Sequence, residues 1–492
     1  MSFIEGNLSA KLRIRPLRLT CPPGALLEAL ARRPYPAVLD STALHESYGR
    51  YTVLACCPLE VLTLSNDILT SAAGEVLAEG REFWQAIRKA FDAARLPVRP
   101  AEAAYLPGWI GYFGYEVGRL IERLPGAAVR DTALPDMHLA FYDCLLVYDA
   151  VKKSWQLVEL VFDRPPAGSG QAAAELMEIV AAAPRTAFEA CPAPVEHADA
   201  KADGEAAAGA SNFKPDEYRQ AVAKCIEYIA AGDIFQVNLS QRFAFTDAPE
   251  PLAIYTALRR RNPAWYAAYL SFVSQGRRCA VLSSSPELFL RLRGGRVITR
   301  PIKGTRRRVG DGRIDAAARA DLLASPKDNA ELAMIIDLLR NDLGRVCEYG
   351  TVRVAERRRL ETHPTVFHLV GTVEGRLCGA VGPAELLRAT FPGGSITGAP
   401  KIRAMEIIDE LERVARGVYT GCIGHVGVDG SCEWNIAIRT MVCDGQTAYV
   451  QVGGGIVADS SPEAEYVETL DKARAMTEAI SIAAAKAQPA KA

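Results

Sequence analysis

The 492-residue chain carries almost no net charge, −1 from 57 Lys and Arg against 58 Asp and Glu. Nothing global therefore draws it to nucleic acid or to an anionic membrane, and any anionic ligand must be held by a few local cations. None of its 12 cysteines forms a C-x-x-C pair, which argues against a zinc site or a disulfide framework and for buried thiols in a reducing compartment. Met1 to Leu19 holds Lys11, Arg13, Arg15 and Arg18 but no apolar run, so no signal peptide is expected, and no stretch is long and apolar enough to span a bilayer. A cytoplasmic protein is expected. Walker A spacing, G-x-G-x-x-G and a short-period repeat are also missing, which disfavours nucleotide-binding and solenoid architectures.

What is present is ordinary globular material, 49% hydrophobic and 23% charged. Residues 183–211, rich in Ala, Pro, Gly and Asp, read as a flexible linker or loop between an N-terminal part, 1–182, and a longer part, 212–485, followed by a tail, 486–492. Past the linker, Pro215 opens a helix whose stripe runs through Tyr218, Val222, Cys225 and Ile229 and stops at Gly232. An alternating strand follows, with Gln236, Asn238 and Ser240 on one face. Further strands are expected at 280–282, 297–299, 435–438 and 448–452, and helices at 329–345, 400–413 and 462–485. Without regular βαβ alternation, the expected class is α+β, with large antiparallel sheets and helices outside.

Four clusters carry chemical potential. Asp328 with Glu331, and Glu465 with Glu468, are i, i+3 pairs near the starts of two helices, each on one face. If the two ends converge, their oxygens suit magnesium, which needs only one or two protein carboxylates; acids there also simply complement a helix dipole. Arg300 to Arg308 brackets Lys303 between Pro301 and Gly304. A desolvated lysine is a nucleophile, whereas a solvated basic turn is the plainer alternative. Phe391 to Lys401 is a Gly-rich run into a helix, where exposed N–H groups suit a carboxylate or serve only as a cap. Gly453 to Gly455 lets backbone approach a ligand closely or marks a bulge. Among single residues, Arg439 after an apolar strand suits a carboxylate clamp, Lys472 pairs with Glu468 at i, i+4, and His368 lies in an apolar setting.

Taken in order, these segments are similar to the chorismate-utilising enzymes, the family of anthranilate synthase component I, aminodeoxychorismate synthase component I, isochorismate synthase and salicylate synthase. The matching stretches are Gly232 to Ser240, Ser285-Pro286-Glu287, Pro301 to Arg306, Ala330-Glu331, Asp337 to Asp342, Phe391 to Lys401, Tyr419-Thr420-Gly421, Ile438-Arg439-Thr440, Gly453 to Val457 and Glu465 to Lys472. Leu39-Asp40-Ser41, Gly49-Arg50-Tyr51 and Gly111 to Tyr115 match more loosely.

The resemblance implies a two-subdomain α/β sandwich of antiparallel sheets holding chorismate and Mg²⁺. It assigns the metal to Glu331 and Glu468, with Asp328 and Glu465 supporting through water. Tyr419 and Arg439 would bind the enolpyruvyl carboxylate, and Thr305, Thr397, Gly453 and Lys472 would be further substrate contacts. His368 would line the pocket, and Glu287 would protonate the leaving C4 hydroxyl. Gln236 stands where water-using members carry a lysine, and its amide is no base. Lys303 stands where anthranilate synthases typically have alanine. The resemblance implies that it attacks C2 before ammonia attacks C4, giving 4-amino-4-deoxychorismate for p-aminobenzoate and folate. Anthranilate formation and a non-catalytic chorismate-binding subunit are the alternatives. Arg307 departs from a common proline, as does Trp265, which counts against a tryptophan pocket around Ser41. No G-x-C-x-G elbow is present, so ammonia is expected from a separate glutamine amidotransferase.

Overall fold

The computed structural model describes residues 9–93, 95, 103–126, 128–184 and 209–487. Among them, two twelve-stranded antiparallel sheets stack face to face with helices outside, the α+β sandwich expected from the sequence. The packing follows from strand composition. Gly108–Phe113, Met137–Tyr142 and Cys144–Asp149 are buried at every position, as strands covered on both faces must be. A single apolar core joins Val53, Leu270 and Val281 of the first sheet to Leu62, Trp109 and Phe289 of the second. On the far side of the first sheet, Leu176, Leu258, Met476 and Ile480 from three helices cover Leu146, Leu282 and Val450.

Neither sheet is built from one half of the chain. Ala37–Asp40 pairs with Tyr266–Ser274 in the first sheet, and Gly108–Phe113 pairs with Cys422–Gly427 in the second. Residues 185–208, most of the expected linker, and 488–492 of the expected tail 486–492 lie outside the described residues.

Two switches between the sheets position the site. Arg277–Ser285 belongs to the first sheet and Leu288–Arg293 to the second, so Pro286-Glu287 is a crossing. The second crossing corrects an expectation. The strand expected at 435–438 ends at Asn435, because the chain there leaves the second sheet and re-enters the first at Thr440–Asp444. An apolar run at a sheet switch is buried for the same reason a strand is, which is why the sequence pattern reads as one. The crossings lie side by side: Ile436 N donates to Glu287 O at 3.1 Å and Ser284 N to Arg439 O at 3.0 Å. The glycines 453–455 also differ from a turn or bulge; they sit inside the strand Thr447–Ile456.

Candidate active site

A cavity of about 1250 Å³ opens at the seam, between the N-termini of helices Pro326–Gly344 and Pro462–Ala487. Lys303 reaches it from the edge strand Ile302–Arg307. The register shifts between Ile302 and Thr305, and Gly304 has φ +79°, a left-handed turn that favours glycine. Lys303 Nζ lies 3.7 Å from Glu331 Oε2, with its side chain 13% exposed. Across from it the strand Gln236–Phe245 pairs with the glycine run. A Cβ on Gly455 would stand 2.4 Å from Gln236 Nε2 and 3.3 Å from Lys303 Nζ. The missing side chain is thus what admits both groups to one spot.

Glu287, on the first crossing, is 4% exposed and accepts from Ser395 Oγ at 2.7 Å. Burial pushes its pKa up to about 7, against the pull of the Ser395 hydroxyl and the Lys303 charge. It is therefore a carboxylic acid able to hold or release a proton near neutrality.

Arg439, on the second crossing, has φ +48°, and Thr420 nearby has φ +62°. Such conformations cost free energy in a non-glycine residue and gather at functional sites. Arg439 Nη1 donates to Asn262 Oδ1 at 3.2 Å. Burial alone acts on its guanidinium, lowering its pKa, with no carboxylate offsetting it among the described residues. An enclosed cation without a counter-charge suits an anionic ligand. Tyr419 lines the cavity beside it; burial pushes its hydroxyl up to about 12, against the charge of Arg416. Arg416 is buried and pairs with Glu412. It donates to the carbonyls of Asn238 at 2.6 Å and Ile396 at 3.0 Å, fixing the cavity floor.

His368 lines the cavity, its Nδ1 2.9 Å from Thr305 Oγ1 and its Nε2 buried without a partner. Burial, then the charges of Arg439 and His363, hold its pKa well below the ordinary value, so the ring is neutral. Gly453 lines the cavity, and its carbonyl accepts from Lys472 Nζ at 2.8 Å; Lys472 also pairs with Glu468 at 2.7 Å. Thr397 is placed differently. It is fully buried and its hydroxyl donates to Gly393 O at 3.0 Å, so it ties the glycine loop together from behind the cavity wall.

The two acidic helix starts do converge: Lys327 on one lies 4.0 Å from Glu465 on the other. Burial raises the pKa of Glu465, which accepts from Ser460 Oγ at 2.7 Å. Burial likewise opposes the charge on Glu468, but Lys472, Lys327 and Lys303 outweigh it and its pKa is lowered. A Cβ on Gly454 would stand 2.8 Å from Glu465 Oε2, so the strand leaves an oxygen-lined cradle. Among the described residues no three His, Cys, Asp or Glu converge tightly enough to hold a metal unaided. Glu331 and Glu468, now facing Lys303 and Lys472, fit a hard cation that takes its remaining ligands from water and substrate. Asp328 lines the same cavity and accepts from Arg306 Nη2 at 3.2 Å.

Sequence reasoning passed over Ser395 and Asn262, which hold Glu287 and Arg439, and Asn238, whose place on the Gln236 face was the available signal. Trp265 is 6% exposed. Its ring lies 4.7 Å from that of His45 and 4.4 Å from that of His363, and its carbonyl accepts from Ser41 Oγ at 3.2 Å. The Trp265 indole thus packs on the chain's own imidazoles, while its backbone holds Ser41.

Fold and site together define an α+β enzyme-like chain with a pocket suited to a small anion, furnished with an acid, an amine and an oxygen-lined cradle. A family profile for chorismate binding enzymes matches residues 50–478, and the chain belongs to that family. It is 38% identical over 445 residues to aminodeoxychorismate synthase component 1 of Klebsiella aerogenes, covering 90% of this chain and 93% of that one. It is 36% identical over 496 residues to anthranilate synthase component 1 of Cereibacter sphaeroides, covering 97% and 96%. The crystal structure of anthranilate synthase component I from Streptococcus pneumoniae superposes with a TM-score of 0.73 at 31% identity, covering 88% of this chain and 93% of that one. Among the described residues no helix is long and apolar enough to cross a membrane.

Proposed function

We propose that the chain is a cytoplasmic, Mg²⁺-dependent component I of aminodeoxychorismate synthase. It would convert chorismate and ammonia to 4-amino-4-deoxychorismate, which leads to p-aminobenzoate and folate, and a glutamine amidotransferase subunit would supply the ammonia. The supporting observation is the Lys303 amine inside the cavity, sharing one spot with Gln236 and close enough to Glu287 for its charge to be felt.

In the first displacement the unprotonated Lys303 Nζ bonds to C2 and both conjugated ring double bonds shift, to C1=C6 and C4=C5. The C4–O bond breaks, and the hydroxyl leaves as water with the proton from Glu287. In the second, ammonia bonds to C4, both double bonds shift back, and the C2–N bond to Lys303 breaks. The surplus proton returns to the Glu287 carboxylate, which restores the acid. Arg439 and Tyr419 hold the enolpyruvyl carboxylate throughout. Glu331 and Glu468, with Glu465 beside them, would hold Mg²⁺, which when bound neutralises the ring carboxylate. Chelation is expected to stop turnover and added Mg²⁺ to restore it.

Relatives named for anthranilate synthesis are of similar identity, so anthranilate is the rival product, reached by a single ammonia attack at C2. Chromatography of the product made from chorismate, Mg²⁺ and ammonia separates the two, and anthranilate as the sole product would refute the proposal. Lys303→Ala should cut 4-amino-4-deoxychorismate formation by at least 10³-fold, the scale of losing an activated nucleophile. A buried acid with its pKa near 7 has no purpose in the further alternative, a subunit that only binds chorismate.

A further inference from the structure

We propose that Asn238 is a third donor to the side-chain carboxylate of the substrate, alongside Arg439 and Tyr419. The inference rests on chorismate being the ligand of this cavity, but not on which carbon receives nitrogen.

Asn238 lines the cavity and is only 8% exposed, yet its Nδ2 has no hydrogen-bond partner. A buried amide N–H₂ left unpaired is costly and rare in a folded protein unless a ligand completes it. The Tyr419 hydroxyl lies near it, but that oxygen can take at most one of the two N–H bonds. The backbone is locked on both sides, Asn238 N donating to Thr397 O at 2.8 Å and Arg416 donating to its carbonyl. Its partner across the strand pair is Gly455, which offers no side chain. The position is therefore held rigid in the cavity wall and at least one acceptor short.

The neighbours identify that acceptor. The Tyr419 hydroxyl lies close enough for the Asn238 amide to act on it. Arg439 lines the same cavity without a carboxylate of its own among the described residues. A neutral donor, a hydroxyl and a guanidinium around one volume ask for a group with several lone pairs and negative charge, which is a carboxylate. Ammonia fits poorly, because a donor aimed at its lone pair would block attack. Such a contact is present equally in the ground and transition states, so its loss should appear in substrate affinity rather than in kcat.

The test is titration of the protein with chorismate and Mg²⁺ in the absence of ammonia, together with steady-state kinetics. For Asn238→Leu, the Kd and KM for chorismate should rise at least tenfold, with kcat within about threefold of the parent and the KM for ammonia unchanged. Asn238→Asp keeps the shape and places a like charge against the carboxylate. It should weaken chorismate binding more than leucine does at pH 8, and recover as the pH falls and the new carboxyl takes a proton. An unchanged Kd in either folded variant, or a loss confined to the KM for ammonia, would overturn the assignment. If the parent itself fails to bind chorismate, the underlying reading fails with it, an outcome visible before any variant is made.

Discussion

Glu287 and Lys303 must hold opposite protonation states at the moment of reaction, one carrying its proton and the other free of it. The acid sets the alkaline side. With a pKa near 7 while Lys303 is charged, Glu287 loses its proton as pH rises, so kcat/KM should fall on the alkaline side of a pH–rate profile, with a midpoint at or above pH 7. The same shift has a stability consequence. The folded pKa exceeds the ordinary 4.5, so the native state binds more protons between those values and stability declines as pH rises across them. Glu287→Gln should therefore lose activity by at least 10²-fold while gaining stability above pH 7, on the order of 1–3 kcal/mol, in urea titrations at pH 5 and 8. These two chemical groups were legible in the sequence through the Ser-Pro-Glu and Pro-Ile-Lys-Gly-Thr stretches. Their electrostatics were not, because the burial of Glu287 and the Ser395 hydroxyl come from distant segments. Thr397 teaches the converse: its residue type and motif suited a substrate contact, but its hydroxyl is turned to Gly393 O.

At the scale of elements, the glycine-rich end of Thr447–Ile456 works by what it omits. Gly455 admits Lys303 and Gln236, and Gly454 admits the Glu465 carboxylate. Gly454→Ala would put a methyl 2.8 Å from Glu465 Oε2, well inside contact distance, so the carboxylate must move. The expected outcome is a Mg²⁺ requirement raised at least tenfold, with chorismate KM rising in parallel at fixed metal and with little change in Tm; a Mg²⁺ titration of activity checks it. The run was visible in the sequence as a close-approach signal, but strand and turn were indistinguishable there, because glycine satisfies both. Likewise the apolar stretch at 435–438 gives no sign that it changes sheets, since either environment buries it.

Across the whole molecule, the two halves of the chain interleave in both sheets, with Ala37–Asp40 on Tyr266–Ser274 and Gly108–Phe113 on Cys422–Gly427. Removing residues 1–182 would strip the second half of these partners and bare long sheet edges and core faces. A fragment beginning at residue 212 is therefore expected to lack cooperative thermal unfolding by circular dichroism and to aggregate, whereas the full chain should melt in a single transition. Composition and hydrophobic spacing were enough to specify the α+β class and most helices, because these depend on local periodicity, and the contiguous motifs carried the resemblance to the family. Residue type and setting also nominated Lys303, Arg439 and the acidic pairs as reactive groups, whereas Glu287 was nominated by the family resemblance alone. Where the chain switches sheets, and which polar atoms are left facing one another across the seam, follows from pairings between residues hundreds of positions apart. Such pairings leave no periodic trace in a single sequence, and it is they that bring an amine, an acid and a guanidinium into one cavity.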